Sequence, residues 1–159
     1  MKSLFQMIAA AACAMTLVAC GGGSGGGSAT TPPVVTPTPP TGVAPPTTLK
    51  IEEVTIGTGA EAVAGKSADV RYTGYLFDGT KSDLRGTKFD SNVTAATPFS
   101  FVVNSGQVIT GFNNGVLGMK VGGKRVVTMP PSQGYGANGN GGIPGNSTLI
   151  FEIELVAVR

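Results

Sequence analysis

"QVITGFNNGVLG", residues 107–118, is the stretch of this 159-residue chain whose apolar positions do not fit the period of two around it. Ile109, Phe112 and Val116 fall at i, i+3 and i+7, on one face of a short helix that Gly111 and Gly115 keep intrinsically weak. The neighbouring segments alternate instead. "DVRYTGYLF" (69–77) sets Val70, Tyr72 and Leu76 against Arg71, Thr73 and Tyr75, and "PFSFVV" (98–103) alternates Phe99, Phe101 and Val103. "KRVVTM" (124–129) alternates Arg125, Val127 and Met129. "TLIFEIELVAV" (148–158) sets Leu149, Phe151, Ile153 and Leu155 against Ile150, Glu152 and Glu154. Strands with one face on a core, interrupted once by a helix, predict an α+β fold: a curved antiparallel β-sheet wrapped around one short α-helix.

The pattern begins only at about Leu49. From there to Arg159 run about 110 residues, enough for one core that buries roughly 65% of the unfolded chain's surface. Residues 49–159 are therefore read as the single folded domain. Lys and Arg number 11 against 9 Asp and Glu, interspersed, so no basic stripe exists to follow a phosphate backbone and nucleic-acid binding has no support. There is no histidine. That removes the commonest general base and metal ligand, and no metal or cofactor is expected.

Residues 1–19 read as an export signal, with a Lys near the start and an apolar run shorter than the ~20 residues of a spanning helix. "LVAC" (17–20) resembles a bacterial lipoprotein processing box, which implies cleavage before Cys20 and lipid on its sulfur. Cys13 would be lost with the signal, leaving no partner for an internal disulfide. Two or more acyl chains on Cys20 would make a stable membrane anchor. Gly21 after the cysteine points to the outer membrane, facing the periplasm, if the source is Gram-negative. Residues 20–48, "CGGGSGGGSATTPPVVTPTPPTGVAPPTT", carry no charge and no aromatic, and read as a disordered tether. Its Gly/Ser part spans roughly 17 Å as a coil, and its Pro/Thr part about 55 Å as an extended polyproline path.

In order and spacing, "VRYTGYLFDGT", "KFDSN", "PFSFVVNSGQVITGFNNGVLGMKVGGKR", "QGYGANG" and "IPGNSTLIFEIEL" resemble the FKBP-type peptidyl-prolyl cis-trans isomerases. The resemblance covers essentially all of residues 49–159. It implies an aromatic-lined pocket that takes a proline ring, surrounded by Tyr72, Phe89, Phe99, Val108, Ile109, Phe112, Tyr135, Ile143 and Phe151, with Asp90 as its acid. It further implies that the Ile109 N–H and the Tyr135 hydroxyl each meet a carbonyl of the bound chain, and that Asp90 orients and polarises rather than carrying a proton. Pro-containing polypeptides are the implied substrates and macrolides the implied inhibitors. From the residues alone, each aromatic reads first as ordinary core, and Asp90 as a turn residue bonding its own backbone.

The chemistry suits a chain without histidine. Turning an X–Pro bond breaks no covalent bond and moves no proton, and the barrier of about 18–20 kcal/mol comes from amide resonance. Because the twisted amide has lost charge separation, a dry apolar pocket favours it over the planar form. A module that captures Pro segments without turning them over, or an anchored chaperone or scaffold, is the alternative reading. Three departures from the family stand out. Phe112 occupies a floor position where Trp is common, which implies weaker macrolide binding. "TKSDLRGTK" (80–88) reads as an exposed bulge beside the pocket, either a plain surface loop or a contact for the substrate. The run "GYGANGNGGIPGN" (134–146) reads as a flap with small side chains, which predicts loose closure with Ile143 alone on that side.

Overall fold

The structure, a computed structural model, describes residues 42–159. Cys20, the signal and most of the proline-rich tether lie outside the described residues. Six strands and one helix follow in the order β1 (Lys50–Thr55), β2 (Ser67–Phe77), β3 (Arg85–Ser91), β4 (Phe99–Val102), α1 (Thr110–Val116), β5 (Lys124–Met129) and β6 (Leu149–Val158). They form one antiparallel sheet ordered β1-β5-β6-β2-β3, with β4 also paired to β2. This is the expected curved sheet around a single short helix.

The helix and the sheet meet through the residues that the alternation singled out. Val70, Phe101, Val103, Val127, Met129, Leu149, Phe151, Ile153 and Leu155 are buried on the sheet's inner face, with Phe112 and Val116 of α1 against them. Gly111 and Gly115 do more than weaken the helix. A Cβ on Gly115 would sit 2.6 Å from Val127 Cγ2, and one on Gly111 2.7 Å from Met129 Sδ, so the missing side chains let α1 lie directly on β5. The cost in helix propensity is offset from outside: Arg125 Nη1 on β5 donates to the Gly115 and Leu117 carbonyls, both at 2.9 Å. A cation on the last carbonyls opposes the helix dipole as well as capping it. The same guanidinium pairs with Glu53 of β1 at 2.6 Å.

Two strands were not legible in the sequence. β1, "KIEEVT", is exposed at every position and forms the outer edge of the sheet, where its charges discourage further pairing. β3, "RGTKFDS", takes in residues 85–88 of the expected bulge, so only Thr80–Leu84 bulges, closed by Asp78, whose carboxylate accepts from the Thr80 N–H and hydroxyl. Both strands lack alternating apolar residues because neither rests its whole length on the core. Residues 42–48, read as tether, lie against this loop: the Val43 N–H donates to the Gly79 carbonyl at 2.8 Å. They also bound a cleft with Phe77, Leu84 and Ile150 on the outer face, where Ile150 is buried despite its outward register.

Candidate active site

β2 supplies the centre of the site because, among the described residues, it is the only strand that pairs with three others. β6 runs along one edge, while the other edge is shared between β4, at Ser67–Val70, and β3, from Thr73 onward. Tyr72 sits at the changeover, on the inner face. Its ring packs edge-on to Phe99 of β4 (centroids 6.0 Å) and Phe112 of α1 (5.5 Å), and at a tilt against Phe151 of β6 (6.0 Å). Phe112 meets Phe151 edge-on at 5.3 Å and Phe101 at 5.7 Å. Such edge-to-face pairs each add about 0.5–1.5 kcal/mol beyond area burial, so the cluster holds its shape without a ligand.

These rings wall a cavity of about 310 Å³, lined by Tyr72, Asp90, Phe99, Gln107, Val108, Ile109, Phe112, Tyr135, Asn140 and Phe151. Its floor is dry: Phe112 and Phe151 are 4% and 3% exposed, whereas Phe99 at the rim is 39% exposed. Asp90 is the one carboxylate among the lining residues. Its Oδ2 accepts from the Tyr72 hydroxyl at 2.7 Å and its Oδ1 from the Ser91 N–H at 2.8 Å. Asp90 lies within β3 rather than in the turn that the isolated "DSN" suggested: one oxygen bonds the adjacent N–H and the other ties it to Tyr72. Burial, then the bond to Asp90 and its charge, push the Tyr72 phenol well above the ordinary tyrosine range, and it remains a neutral donor.

Eight of the residues named for the pocket thus come together, and two do not line it. Phe89 stands behind the wall, edge-on to Phe151 at 5.5 Å and over Gly74, whose absent Cβ would meet its ring at 2.6 Å. Ile143 is turned into the hydrophobic core, because the flap folds back on itself rather than arching loosely over the cavity. Asn140 and Ile143 exchange backbone hydrogen bonds of 3.1 and 2.9 Å, and the Asn146 N–H closes on the Gly136 carbonyl at 2.8 Å. Gly139 makes this possible: its φ is +69° and a Cβ there would lie 2.2 Å from the Ile143 carbonyl oxygen. The loose closure expected from small side chains is not what the backbone does.

Two lining residues were missed. Asn140 takes the flank expected of Ile143, and Gln107 precedes the helix with its Oε1 accepting from the Val102 N–H at 2.8 Å. Neither could be found by a search for apolar or ionisable groups, since an amide is neither. Ile109 forms the N-cap of α1, where its carbonyl accepts from the Asn113 N–H at 3.1 Å while its own N–H makes no hydrogen bond among the described residues. No grouping of three or more metal-binding side chains occurs among the described residues. What remains is an apolar socket with a few fixed polar groups on its rim, suited to holding a ring and a flanking peptide.

Known proteins place this geometry. The family model of the FKBP-type peptidyl-prolyl cis-trans isomerases matches residues 59–156. An FK506-binding protein of Neisseria meningitidis serogroup B is 49% identical over 111 residues, covering 69% of this chain and 95% of that protein. FK506-binding protein 2 of Dictyostelium discoideum is 50% identical over 97 residues, covering 60% of this chain and 68% of that one. Among solved structures, the crystal structure of FkpA from Escherichia coli superposes with a TM-score of 0.60 at 36% identity, covering 70% of this chain and 48% of that chain. The chain belongs to the FKBP-type family and is a peptidyl-prolyl cis-trans isomerase.

Proposed function

We propose that the protein turns X–Pro bonds of exported polypeptides during their folding, in the aromatic cavity, while held at the cell envelope by lipid on Cys20. The observation that carries the site is the cavity itself: four interlocked aromatic rings around about 310 Å³, with Asp90 as the one lining carboxylate. That volume lies at the small end of the usual range for ligand pockets, roughly 300–1,000 Å³. A proline ring enters against Phe112 and Phe151, and the flanking chain lies over the rim.

Catalysis then follows from exclusion of water. In the planar amide the carbonyl carries substantial charge, which the cavity solvates poorly; in the twisted amide that charge is reduced and the cavity suits it. A differential of ~5–7 kcal/mol corresponds to an acceleration of roughly 10⁴- to 10⁵-fold. The Ile109 N–H and the Tyr135 hydroxyl hold carbonyls of the bound chain, as the family resemblance implies. Asp90, held by Tyr72, orients the rim and sets its potential. None of these residues transfers a proton.

Support for the address comes from the sequence alone, in the apolar leader and the "LVAC" box before Gly21. Exchange spectroscopy of a Pro-containing peptide with the full chain tests the site: Asp90→Ala and Tyr135→Phe are expected to slow cis–trans exchange while the chain stays folded. Wild-type rates in both variants would remove the cavity from the mechanism. For the anchor, the mass of the mature N-terminus is the test. A diacyl or triacyl adduct on Cys20 supports it, and an unmodified cysteine refutes it.

A further inference from the structure

We infer that Asn92 is a positioning residue for the isomerase, splicing β3 to β4 along one edge of β2 and so setting Asp90 and Phe99 on either side of Tyr72. The inference rests on the reading that the aromatic cavity is where the X–Pro bond turns. On this edge of β2 the last pair with β4 is Val70↔Phe99 and the first with β3 is Thr73↔Ser91. Arg71 and Tyr72 have no strand partner there. Asn92 fills the gap with its side chain: Oδ1 accepts from the Tyr72 N–H at 2.6 Å and Nδ2 donates to the Val70 carbonyl at 3.0 Å. Its own N–H donates to the Tyr72 carbonyl at 3.1 Å.

The residue type follows from that task. A side-chain amide offers one acceptor and one donor on one plane, as a peptide group does, so Asn can stand in for a missing strand residue. Asp would present a second acceptor to the Val70 carbonyl, and Ser would reach only one of the two groups. On the opposite face, Arg71 Nη1 donates to the Val93 and Ala95 carbonyls at 2.7 and 3.1 Å, and the Ala95 N–H returns to the Asn92 carbonyl at 3.0 Å. Apolar packing does not hold this crossover in place, since Val93 is 51% exposed. Hydrogen bonds centred on Asn92 do.

The consequence for the site is geometric. Asp90 lies two residues before the splice and Phe99 seven after it, and both line the cavity. Tyr72 is gripped at both ends, its backbone by Asn92 and its hydroxyl by Asp90. Releasing the splice lets β3 and β4 move independently against β2, which shifts the carboxylate and the rim ring relative to Tyr72. Misplacement of site groups by about 1 Å can cost up to ~100-fold in rate.

The test compares Asn92→Asp, Asn92→Ala and Asn92→Ser with Thr73→Val in the full-length chain. Thr73 lies outside the cavity, and its hydroxyl bonds Ser91 Oγ at 3.0 Å, so its replacement perturbs the same edge away from the site. Asn92→Asp and Asn92→Ala are expected to lower kcat/KM for a Pro-containing peptide about tenfold, in kcat more than in KM. Asn92→Ser should fall between, and Thr73→Val should stay within twofold. With ¹³C-labelled tyrosine, the Tyr72 Cζ resonance should move in step with activity, because it reports the hydroxyl bond to Asp90. Folded Asn92→Asp or Asn92→Ser with kcat/KM within twofold of wild type overturns the inference, as does lost activity with an unmoved Tyr72 resonance. Asp90→Ala separates the two levels. If it lowers activity while the Asn92 variants do not, only the positioning role fails; if it has no effect, the cavity reading fails and takes this one with it.

Discussion

Tyr72→Phe removes one oxygen from the centre of the site and leaves the ring stack intact, which isolates the tie between Tyr72 and Asp90. The lost bond is 2.7 Å long and its acceptor is a carboxylate, a class worth about 1.5–3 kcal/mol when sheltered. Asp90 is exposed, so the figure is discounted to about 1 kcal/mol. If Asp90 orients the rim only while so tied, the same energy appears in the barrier, and kcat/KM falls about fivefold. Exchange spectroscopy on a Pro peptide measures this, and the double variant with Asp90→Ala completes a cycle whose coupling should be about 1 kcal/mol. Strict additivity, or full activity in Tyr72→Phe beside a large loss in Asp90→Ala, would refute the reasoning. Stability adds a check on sign. The folded-state pKa of Tyr72 is raised, so its contribution is complete below the ordinary tyrosine value of about 10 and is lost as pH rises through the folded value. Tyr72→Phe has no phenol to ionise. Its deficit relative to wild type should therefore narrow above about pH 10, and a deficit that widens there would contradict the shift.

Gly115→Ala sets helix propensity, which favours Ala by about 1 kcal/mol, against overpacking of 1–3 kcal/mol where the new Cβ meets Val127 Cγ2 at 2.6 Å. Packing should win by about 1 kcal/mol, lowering Tm by roughly 4 °C in a thermal melt; a rise in Tm would show that β5 yields. A fragment beginning at Leu49 loses the Val43 to Gly79 bond and the cover near Ile150, and should melt about 5 °C below one beginning at Gly42, with unchanged kcat/KM. Equal melting points would return residues 42–48 to the tether. Phe112→Trp should tighten binding of an FK506-type macrolide about fourfold by calorimetry, from roughly 30 Å² of added apolar contact. Weaker binding would mean that the neighbours of Phe112, at 5.3–5.7 Å, leave no space for the second ring.

The legible parts of the chain were those where one side chain's environment matched its own chemistry. β2, β5 and β6 alternate because one face of each rests on the core throughout, and α1 shows its face through Ile109, Phe112 and Val116. β1 and β3 were silent because neither rests a whole face on the core, so their side chains carry no apolar alternation. The aromatic walls of the site were found through resemblance to a family, since from its own sequence a ring such as Phe151 is indistinguishable from core. Ile143 and Phe89 show the limit of that transfer. Each sits at a matching place in the chain, yet the backbone turns one into the core and the other behind the wall. Gln107 and Asn140 stayed hidden because neutral amides at a rim carry neither a charge nor an apolar period.

That walls and core share residues fits the proposed chemistry, in which an amide turns without proton transfer. A reaction that moved a proton would need a titratable group in the middle of the cavity, and such a group would have to be kept apart from the packing around it. On the proposed mechanism, turning an amide needs dryness and shape, which the core already provides, so the buried Phe112 and Phe151 would serve both purposes. Freedom to change lies at the rim, where Phe99, Asp90, Gln107, Tyr135 and Asn140 meet solvent and the bound chain. Those residues arrive from β3 and β4, which pair with β2, and from the segment before α1 and the flap, which do not. Two fastening points lie outside the cavity: Asn92, whose side chain bonds the Tyr72 N–H between β3 and β4, and Gly139, whose missing Cβ lets the flap turn back on itself.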